Sequence, residues 1–288
     1  MSVLLNSRGL PPTFSWKQFL PSDKKTVMEH SNRRGHRKIF ISPRMISKSR
    51  GSCYLECGNT KIVAAVYGPR ENLKSDVMVM EGKLSCQFVI SPFATPGAEV
   101  ADERDTQKVC SDYETFIEEC FCSVVDRTKF PKSTLDLTVL VLENDGGVLA
   151  HSLTALSCAI TSAGMEMHDM LVGVNCAVMV GGGDEKGLTD GEQEEFEIAV
   201  DPCFEDETIS YQTGSDRTEV DQKILFSTSV VTVGYLPNVN QIATLSHNGQ
   251  CPSGQVLSTA VKKCIENSPL VYAAVQKFLK QSLLDDES

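Results

Sequence analysis

The stretch LENDGGVLAHS, residues 142–152, lies between two apolar patterns of different period. Before it, residues 135–142 begin as an alternation of apolar and polar side chains, and after it residues 148–163 are apolar on nearly every side. This change predicts a strand, a tight Gly146-Gly147 turn and the start of a buried helix. A first helical turn presents unpaired N–H groups, and the two glycines let a ligand approach the backbone. The stretch therefore has the backbone geometry of an anion site.

The side chains of the same stretch do not complete that site. A phosphate that is bound for chemistry normally also meets an Arg or Lys, whose charge offsets the cost of desolvating the anion. Here the helix opens with Val148, Leu149 and Ala150, which supply no charge and no side-chain donor. Whether the chain is an enzyme depends on this difference.

The rest of the chain also shows apolar patterns typical of strands and helices. The predicted strands are residues 52–57, 61–67, 84–90, 135–142, 171–180, 196–200, 228–235 and 241–246, and the predicted helices are about 100–126, 148–163 and 256–279. Gly58-Asn59 marks a hairpin between the first two strands, and Gly68-Pro69 is expected to end it. The order is β-rich, two helices, β-rich and one long helix, which is typical of an α+β fold and of an internal duplication.

Composition divides the chain into five parts. They are a poorly ordered extension (1–38), an N-terminal folded part (39–180), an acidic Gly-rich linker (181–195), a C-terminal folded part (196–281) with an acidic loop near 208–224, and a tail (282–288). The net charge of −11 is uneven, because residues 1–70 hold 13 Lys or Arg and 3 Asp or Glu. The basic run at residues 33–38 is either ordinary solvated surface or a local contact to a polyanion.

The 11 cysteines are odd in number and scattered, which indicates reduced, structural thiols. We expect no metal and no cofactor, since the five histidines have unhelpful spacings and a zinc site is the less favoured interpretation of the close cysteine pairs. No signal peptide and no membrane-spanning run is recognised. These features predict a protein of the cytoplasm or nucleus.

Five phrases resemble the ribonuclease PH family in order and spacing. They are residues 51–70 (GSCYLECGNTKIVAAVYGPR), 86–95 (CQFVISPFAT), 137–147 (LTVLVLENDGG), 162–174 (SAGMEMHDMLVGV), and 200–207 (VDPCFEDE) followed by 236–249 (LPNVNQIATLSHNG). The resemblance covers roughly residues 38–280 and implies the ribonuclease PH fold, in which a mixed sheet like that of the second domain of ribosomal protein S5 packs with helices. Within the family, the GMEMHDM phrase and Asp201-Pro202 look most like a ring subunit of the eukaryotic RNA exosome.

The resemblance also implies a chemistry that this chain lacks. Active members of the family use inorganic phosphate, held after the Gly-Gly by a Thr/Ser-Arg pair, to attack the 3′-terminal phosphodiester of RNA. The matching positions here are Val148 and Leu149, so we predict that Asp145, Gly146, Gly147, Val148 and Leu149 form a vestigial phosphate site.

Active members also place two aspartates six residues apart. Here Glu207 matches the first, and the position six residues later is Thr213. We therefore predict a vestigial acidic site of Asp201, Asp206 and Glu207 and no catalytic residue. A displaced acid such as Asp216 or Asp221 is the open alternative.

Positive charge for RNA is sparse after the SPFAT-like strand, where residues 96–105 carry one Arg and four acids. The candidate RNA contacts are Arg44, Arg70, Arg104 and Lys108. We interpret His151, His168 and His247 as structural, since no nucleophile or acid partner is evident in sequence.

We thus expect a non-catalytic ring subunit of the RNA exosome that completes the ring and shapes the RNA path for 3′-to-5′ processing and degradation. The implied partners are other ribonuclease-PH-like subunits, S1/KH-type cap subunits and single-stranded RNA, with no membrane. The implied location is the nucleus and nucleolus, and also the cytoplasm. The alternatives are an active phosphate-dependent exoribonuclease and an acidic scaffold of the same fold without RNA contact.

Overall fold

The computed structural model describes residues 36–71, 81–94, 103–180, 196–208, 227–249, 251 and 253–286. The strands are β1 (Ile39–Pro43), β2 (Gly51–Cys57), β3 (Thr60–Glu71), β4 (Lys83–Ile90), β5 (Ser133–Glu143), β6 (Val172–Val180), β7 (Phe196–Val200), β8 (Ser227–Leu236) and β9 (Gln241–Asn248). The helices are α1 (Glu103–Val124), α2 (Val148–Ser162), α3 (Phe204–Thr208) and α4 (Gly254–Asp286). Every strand and long helix that the periodicity predicts is present.

The strands form two sheets. The first has the order β1-β2-β3-β5-β4 and is mixed, because β4 runs parallel to β5 while the other neighbours are antiparallel. The second has the order β7-β6-β8-β9 and is antiparallel throughout. The predicted α+β fold with a mixed sheet is confirmed, and the division of the strands between two sheets is a feature that the periodicity did not indicate.

Helix α2 lies between the two sheets, and this position explains why its residues are almost all apolar. It packs on β2 and β3 of one sheet and on β6 and β8 of the other, and residues 148–160 are all buried. Its backbone touches both sheets at glycines, since a Cβ on Gly51 would lie 2.3 Å from Ala159 O and one on Gly173 would lie 2.1 Å from Ala150 O. A helix that is covered on two sides must be apolar nearly all round.

The two remaining long helices cover the outer surfaces. Helix α1 packs mainly on β4, and α4 packs on β6, β8 and β1. Among the described residues, no helix combines the length and the apolar composition needed to span a membrane. Through these contacts, α1 packs on the first sheet and α4 packs on both sheets.

Three predicted boundaries need correction. The predicted strand 61–67 is too short, because β3 continues past Gly68-Pro69 to Glu71 against β5, although its hairpin pairing with β2 does end at Val66, just before that dipeptide. Helix α4 reaches Asp286, so no separate tail begins at residue 282. His36 and Arg37, assigned to the poorly ordered extension, have side chains that are only 7% exposed. The linker 181–195 and the acidic loop beyond Thr208 lie outside the described residues.

Candidate functional site

The turn between β5 and α2 has the backbone shape that the sequence predicts. Gly146 and Gly147 have φ values of 86° and 68°, in the left-handed region that favours glycine. The Asn144 side chain accepts a hydrogen bond from Gly146 N at 3.0 Å, and the Thr60 hydroxyl donates to Gly146 O at 2.9 Å. A Cβ on Gly146 would lie 2.6 Å from Pro202 O, so the turn also fits closely against the chain that follows β7.

A carboxylate of the protein itself lies where a bound anion would meet this turn. Gly147 N donates to Glu207 Oε1 at 2.8 Å, and Asn175 Nδ2 donates to the same oxygen at 3.4 Å. Burial raises the pKa of Glu207 to about 7, although the Gly147 bond and Arg37 act in the opposite direction. The backbone donor at the predicted vestigial phosphate site is thus already bonded to an internal acid.

Val148 and Leu149, which the sequence predicts at the positions of the phosphate ligands, belong to the core. Val148 and Leu149 are 9% and 8% exposed, and both join the large hydrophobic cluster that surrounds α2. An aliphatic side chain in that position gains from burial and offers nothing to a phosphate oxygen. The start of α2 therefore contributes two apolar side chains to the core and no ligand for an anion.

Arg37, a cation that contacts this turn, is bound to Asp201. Arg37 N and Nε donate to Asp201 Oδ2, both at 3.0 Å, and Arg37 Nη2 donates to Oδ1 at 2.7 Å. Asp201 follows β7 with a φ of 55°, and its side chain is fully buried. Burial alone would raise the pKa of this carboxyl group, but His151, Arg37 and His36 together hold it well below its ordinary value.

Arg37 also joins three distant segments. Its Nη1 donates to Asp145 O at 2.7 Å, and its Nη2 lies 3.3 Å from both Gly146 O and Pro202 O. The end of β5, the residues after β7 and the segment before β1 therefore meet at one guanidinium group. For Arg37, the interpretation of residues 33–38 as a surface charge run is wrong, because this side chain is buried.

Each of the three acids of the predicted vestigial site has a different hydrogen-bond partner. Asp201 pairs with Arg37, Glu207 accepts from Gly147, and Asp206 accepts from Cys203 N at 3.2 Å at the start of α3. Asp206 is 4% exposed, so its carboxylate serves as a local cap rather than as a free group. Each of the three acids therefore already has a partner within the protein.

His151 has an acid partner that sequence alone does not indicate. Its Nε2 lies 3.2 Å from Asp201 Oδ1, and the residue is 2% exposed. The structural role of His151 stays a prediction, and the residue belongs to the Asp201 cluster. That cluster also contains His36 and Cys57, each of which places one potential metal ligand within 4.8 Å of the others and of an Asp201 oxygen.

The candidate RNA contacts lie on separate elements. Arg44 is exposed in the β1–β2 loop with a φ of 60°, and Lys108 is exposed on α1. Arg70 is exposed at the end of β3 and pairs with Asp136, at the rim of a pocket of about 310 Å³. Arg104 lies in α1, but its side chain is outside the described residues. RNA binding by these four residues stays a prediction.

Two of the quoted phrases meet each other in a structural contact. Asp169, in the GMEMHDM segment, accepts from Asn238 N at 2.8 Å, from Asn238 Nδ2 at 2.7 Å and from Val239 N at 3.2 Å, in the turn of the LPNVN segment. Asp169 is 8% exposed. The β8–β9 turn is therefore fixed against the chain that leaves α2.

Comparison with known proteins agrees with this geometry. Residues 35–166 match the family described as "3' exoribonuclease family, domain 1", of ribonuclease PH. The chain carries a ribonuclease PH domain. The match begins just before Arg37 and includes the Gly146-Gly147 turn and all of α2, which confirms the resemblance that the five phrases indicated.

The proteins to which this chain is similar include exosome subunits. The Arabidopsis thaliana "Exosome complex component RRP41-like" is 27% identical over 268 residues, which cover 88% of this chain and 94% of that protein. The human "Exosome complex component MTR3", also called exosome component six or messenger RNA transport regulator three, is 25% identical over 261 residues, with coverage of 84% and 82%. The crystal structure of rice (Oryza sativa) Rrp46 has the same fold, with a TM-score of 0.61 at 18% identity and coverage of 89% and 99%.

Proposed function

We propose that this chain is a non-catalytic ring subunit of an RNA exosome. One observation carries the proposal: Gly147 N, the backbone donor of the vestigial phosphate site, is bonded to Glu207 at 2.8 Å, directly before the buried Val148 and Leu149. The ribonuclease PH domain supports the proposed fold of a ring subunit, and the similarity to proteins named as exosome complex components supports the proposed assembly.

Phosphorolysis needs more than an N–H group at a helix start. Inorganic phosphate and the RNA phosphodiester are both anions, so positive charge must offset their repulsion as charge builds on the leaving oxygen. In this site a phosphate would have to displace Glu207, and Arg37 already faces Asp201 and Asp145. The site therefore has neither an unoccupied backbone donor at Gly147 nor an Arg37 side chain without an acidic partner.

A ring role needs surfaces that another subunit can cover. No described strand pairs with the outer edge of β9, and Ile242 and Leu245 on β9 are 45% and 47% exposed. Sheet edges and exposed apolar side chains of this kind are suited to contact with another chain. The proposed partners are ribonuclease-PH-like subunits, with S1/KH-type cap subunits and single-stranded RNA in the full assembly, in the nucleus, nucleolus and cytoplasm.

The first test is catalytic. The purified chain is incubated with end-labelled single-stranded RNA and inorganic phosphate, beside an active ribonuclease PH enzyme as the positive control. We expect no nucleoside diphosphate from this chain. Product that disappears in an Asp201→Asn variant would refute the proposal and favour the alternative of an active phosphate-dependent exoribonuclease.

The second test is assembly. The chain is co-expressed with candidate ribonuclease-PH-like subunits, and the complex is measured by size-exclusion chromatography with light scattering. Leu245→Asp should weaken the complex, while Leu270→Asp on α4, at a position that is 63% exposed, is the matched control and should not. A monomer that ignores every such partner would favour the acidic-scaffold alternative.

A further inference from the structure

We propose that the outer face of the first sheet binds one nucleotide of a single-stranded RNA. The site lies where β4 and β5 begin and β3 ends, and the inference rests on the proposed role in an RNA exosome. The site is separate from the vestigial phosphate site, because Asp136 and Glu143 lie toward opposite ends of β5, ~23 Å apart. It therefore adds an RNA contact to a chain whose Gly147 donor is already bonded to Glu207.

The pocket beside Arg70 supplies the space for a base. Its volume is about 310 Å³, at the lower end of the range for ligand sites, so it fits one small group rather than a folded domain. Leu135, Leu137 and Val139 of β5 are at most 1% exposed, whereas the residues between them are partly exposed. The pocket therefore opens on the solvent side of the sheet. Its polar lining consists of Tyr67, Arg70, Ser85, Gln87, Asp136 and Thr138.

The strand register places an aromatic ring beside two cations. Tyr67 of β3 pairs with Asp136 of β5. Arg70 of β3 and Lys83 of β4 both pair with Thr134, which lies two residues before Asp136 and therefore on the same face of the sheet. The two rows of side chains are ~6.6 Å apart along the strands. A stacked base and its backbone phosphates need this combination of a ring and neighbouring positive charge.

The lining suits a nucleobase better than an apolar peptide side chain. A base stacks on an aromatic ring and forms hydrogen bonds through its edge, and Tyr67 provides the ring on a sheet surface. The Gln87 amide both donates and accepts hydrogen bonds, and the hydroxyl groups of Ser85 and Thr138 do the same. Among the described residues of the lining, the aliphatic one, Leu137, is 1% exposed. An apolar side chain would therefore gain little by entering the pocket.

Positive charge at this end of the sheet complements the phosphates of RNA. Arg70, Lys83 and Lys132 are exposed, while the acids of the described strand ends here are Asp136 and Glu71. Arg70 pairs with Asp136 and its side chain is 70% exposed, so the carboxylate holds the guanidinium group at the rim of the pocket. A guanidinium group has five N–H donors, and those that do not face Asp136 can bind a phosphate oxygen. A local excess of cations on a chain of net charge −11 indicates an anionic ligand.

The test measures binding of a short fluorescein-labelled oligouridylate to the isolated full chain by fluorescence anisotropy at low salt. Tyr67→Ala should lower the affinity roughly fivefold or more, because a stacked base is lost, while Tyr67→Phe should keep it. Arg70→Gln and Lys83→Gln should each reduce the slope of log affinity against log salt by about 0.7. In an oligouridylate that carries iodouridine, irradiation should crosslink the base to Tyr67, as located by mass spectrometry.

Tyr54→Ala is the matched control. Tyr54 is a partly exposed tyrosine on the same face of the sheet, but it pairs with Val63 and lies outside the pocket. The RNA affinity of this variant should equal that of the wild type. If Tyr67→Ala does not fold by circular dichroism, Gln87→Glu decides, because Gln87 is exposed and the change adds negative charge inside the pocket. Gln87→Glu should weaken binding.

Three results would overturn the site: no binding by the wild type, equal affinity of a folded Tyr67→Ala protein and the wild type, or crosslinks that all lie elsewhere. Equal competition by a polyglutamate peptide of the same charge would also overturn it, because charge alone would then explain the binding. These outcomes are distinct from a failure of the ring role, which the assembly experiment measures without RNA.

Discussion

Replacing Arg37 by Gln should destabilise the protein strongly, because it leaves the carboxylate of Asp201 buried without its guanidinium partner. The Arg37 side chain is 7% exposed and that of Asp201 is fully buried, and two guanidinium nitrogens contact the two carboxylate oxygens at 3.0 and 2.7 Å. Breaking one partner of such a pair costs about 3–5 kcal/mol. The free energy of unfolding of Arg37→Lys should lie between those of Arg37→Gln and the wild type, since one ammonium group cannot bind both carboxylate oxygens.

The pH dependence of this loss follows from the lowered pKa of Asp201. A carboxyl group whose pKa is lower in the folded protein contributes stability above its unfolded value, which is 3.8 here, and loses that contribution as the pH falls toward the folded value. In Arg37→Gln the pKa of Asp201 should rise. The difference in free energy of unfolding between the wild type and Arg37→Gln is therefore largest at neutral pH and decreases below about pH 4.

Urea unfolding of both proteins at pH 7 and pH 3 measures this difference. Lys61→Gln is the control, since Lys61 and Glu143 pair at 2.7 Å on the surface with side chains that are 38% and 46% exposed. The control should change the urea midpoint much less than Arg37→Gln. Equal losses for the two variants at pH 7, or a loss in Arg37→Gln that grows toward pH 3, would refute the reasoning.

Three further predictions concern other parts of the molecule. Glu207→Gln should stabilise the protein by about 3 kcal/mol above pH 7 and by nothing below pH 4.5, because burial raises the pKa of Glu207 from 4.5 to about 7 and the cost of its charge is present only above that range. Gly173→Ala should abolish or severely weaken folding, measured by circular dichroism, since its Cβ would lie 2.1 Å from Ala150 O in α2. Arg44→Gln should lower RNA affinity in the assembled complex and flatten its salt dependence, measured by fluorescence anisotropy, because this exposed cation is a candidate phosphate contact.

Each of these predictions has a matched control. Glu143→Gln on the surface should show no stabilisation that grows between pH 4.5 and pH 7. Gly254→Ala should fold normally, because no atom lies within 4 Å of the Cβ it would gain. Lys280→Gln removes an exposed charge from α4 and should leave RNA affinity unchanged. A control that behaves like its test variant would contradict the corresponding argument.

Periodicity in the sequence predicted the three long helices and every described strand except β1, but not the short helix α3, and physical chemistry gives the reason. Strands and helices bury one face or two, so the spacing of apolar side chains in residues 135–142 and 148–163 is enough to predict β5 and α2. The Gly146-Gly147 turn is equally local, because positive φ favours glycine. The absence of a cation at Val148 and Leu149 is a fact of composition that needed no coordinates.

The candidate site could be predicted only in part, because its contacts join residues that are far apart in the chain. Arg37 and Asp201 are separated by 164 positions, and Gly147 and Glu207 by 60. No local pattern marks Arg37, which follows three other basic or polar residues in a run typical of a solvated surface. The sequence placed Asp201, Asp206 and Glu207 together as one vestigial site, and the structure gives each a different partner.

The sequence by itself determined the long helices and all described strands but β1, that α2 is buried, and that the turn before it lacks phosphate-binding side chains. Only the tertiary structure decided that the strands divide into two sheets around α2, that Glu207 occupies the backbone donor of the turn, and that Arg37 lies buried against Asp201. Apolar periodicity records how much of an element is covered, but not by which partner. A buried charge is stable only beside a compensating group, and the pairing of such groups is fixed when distant segments pack together.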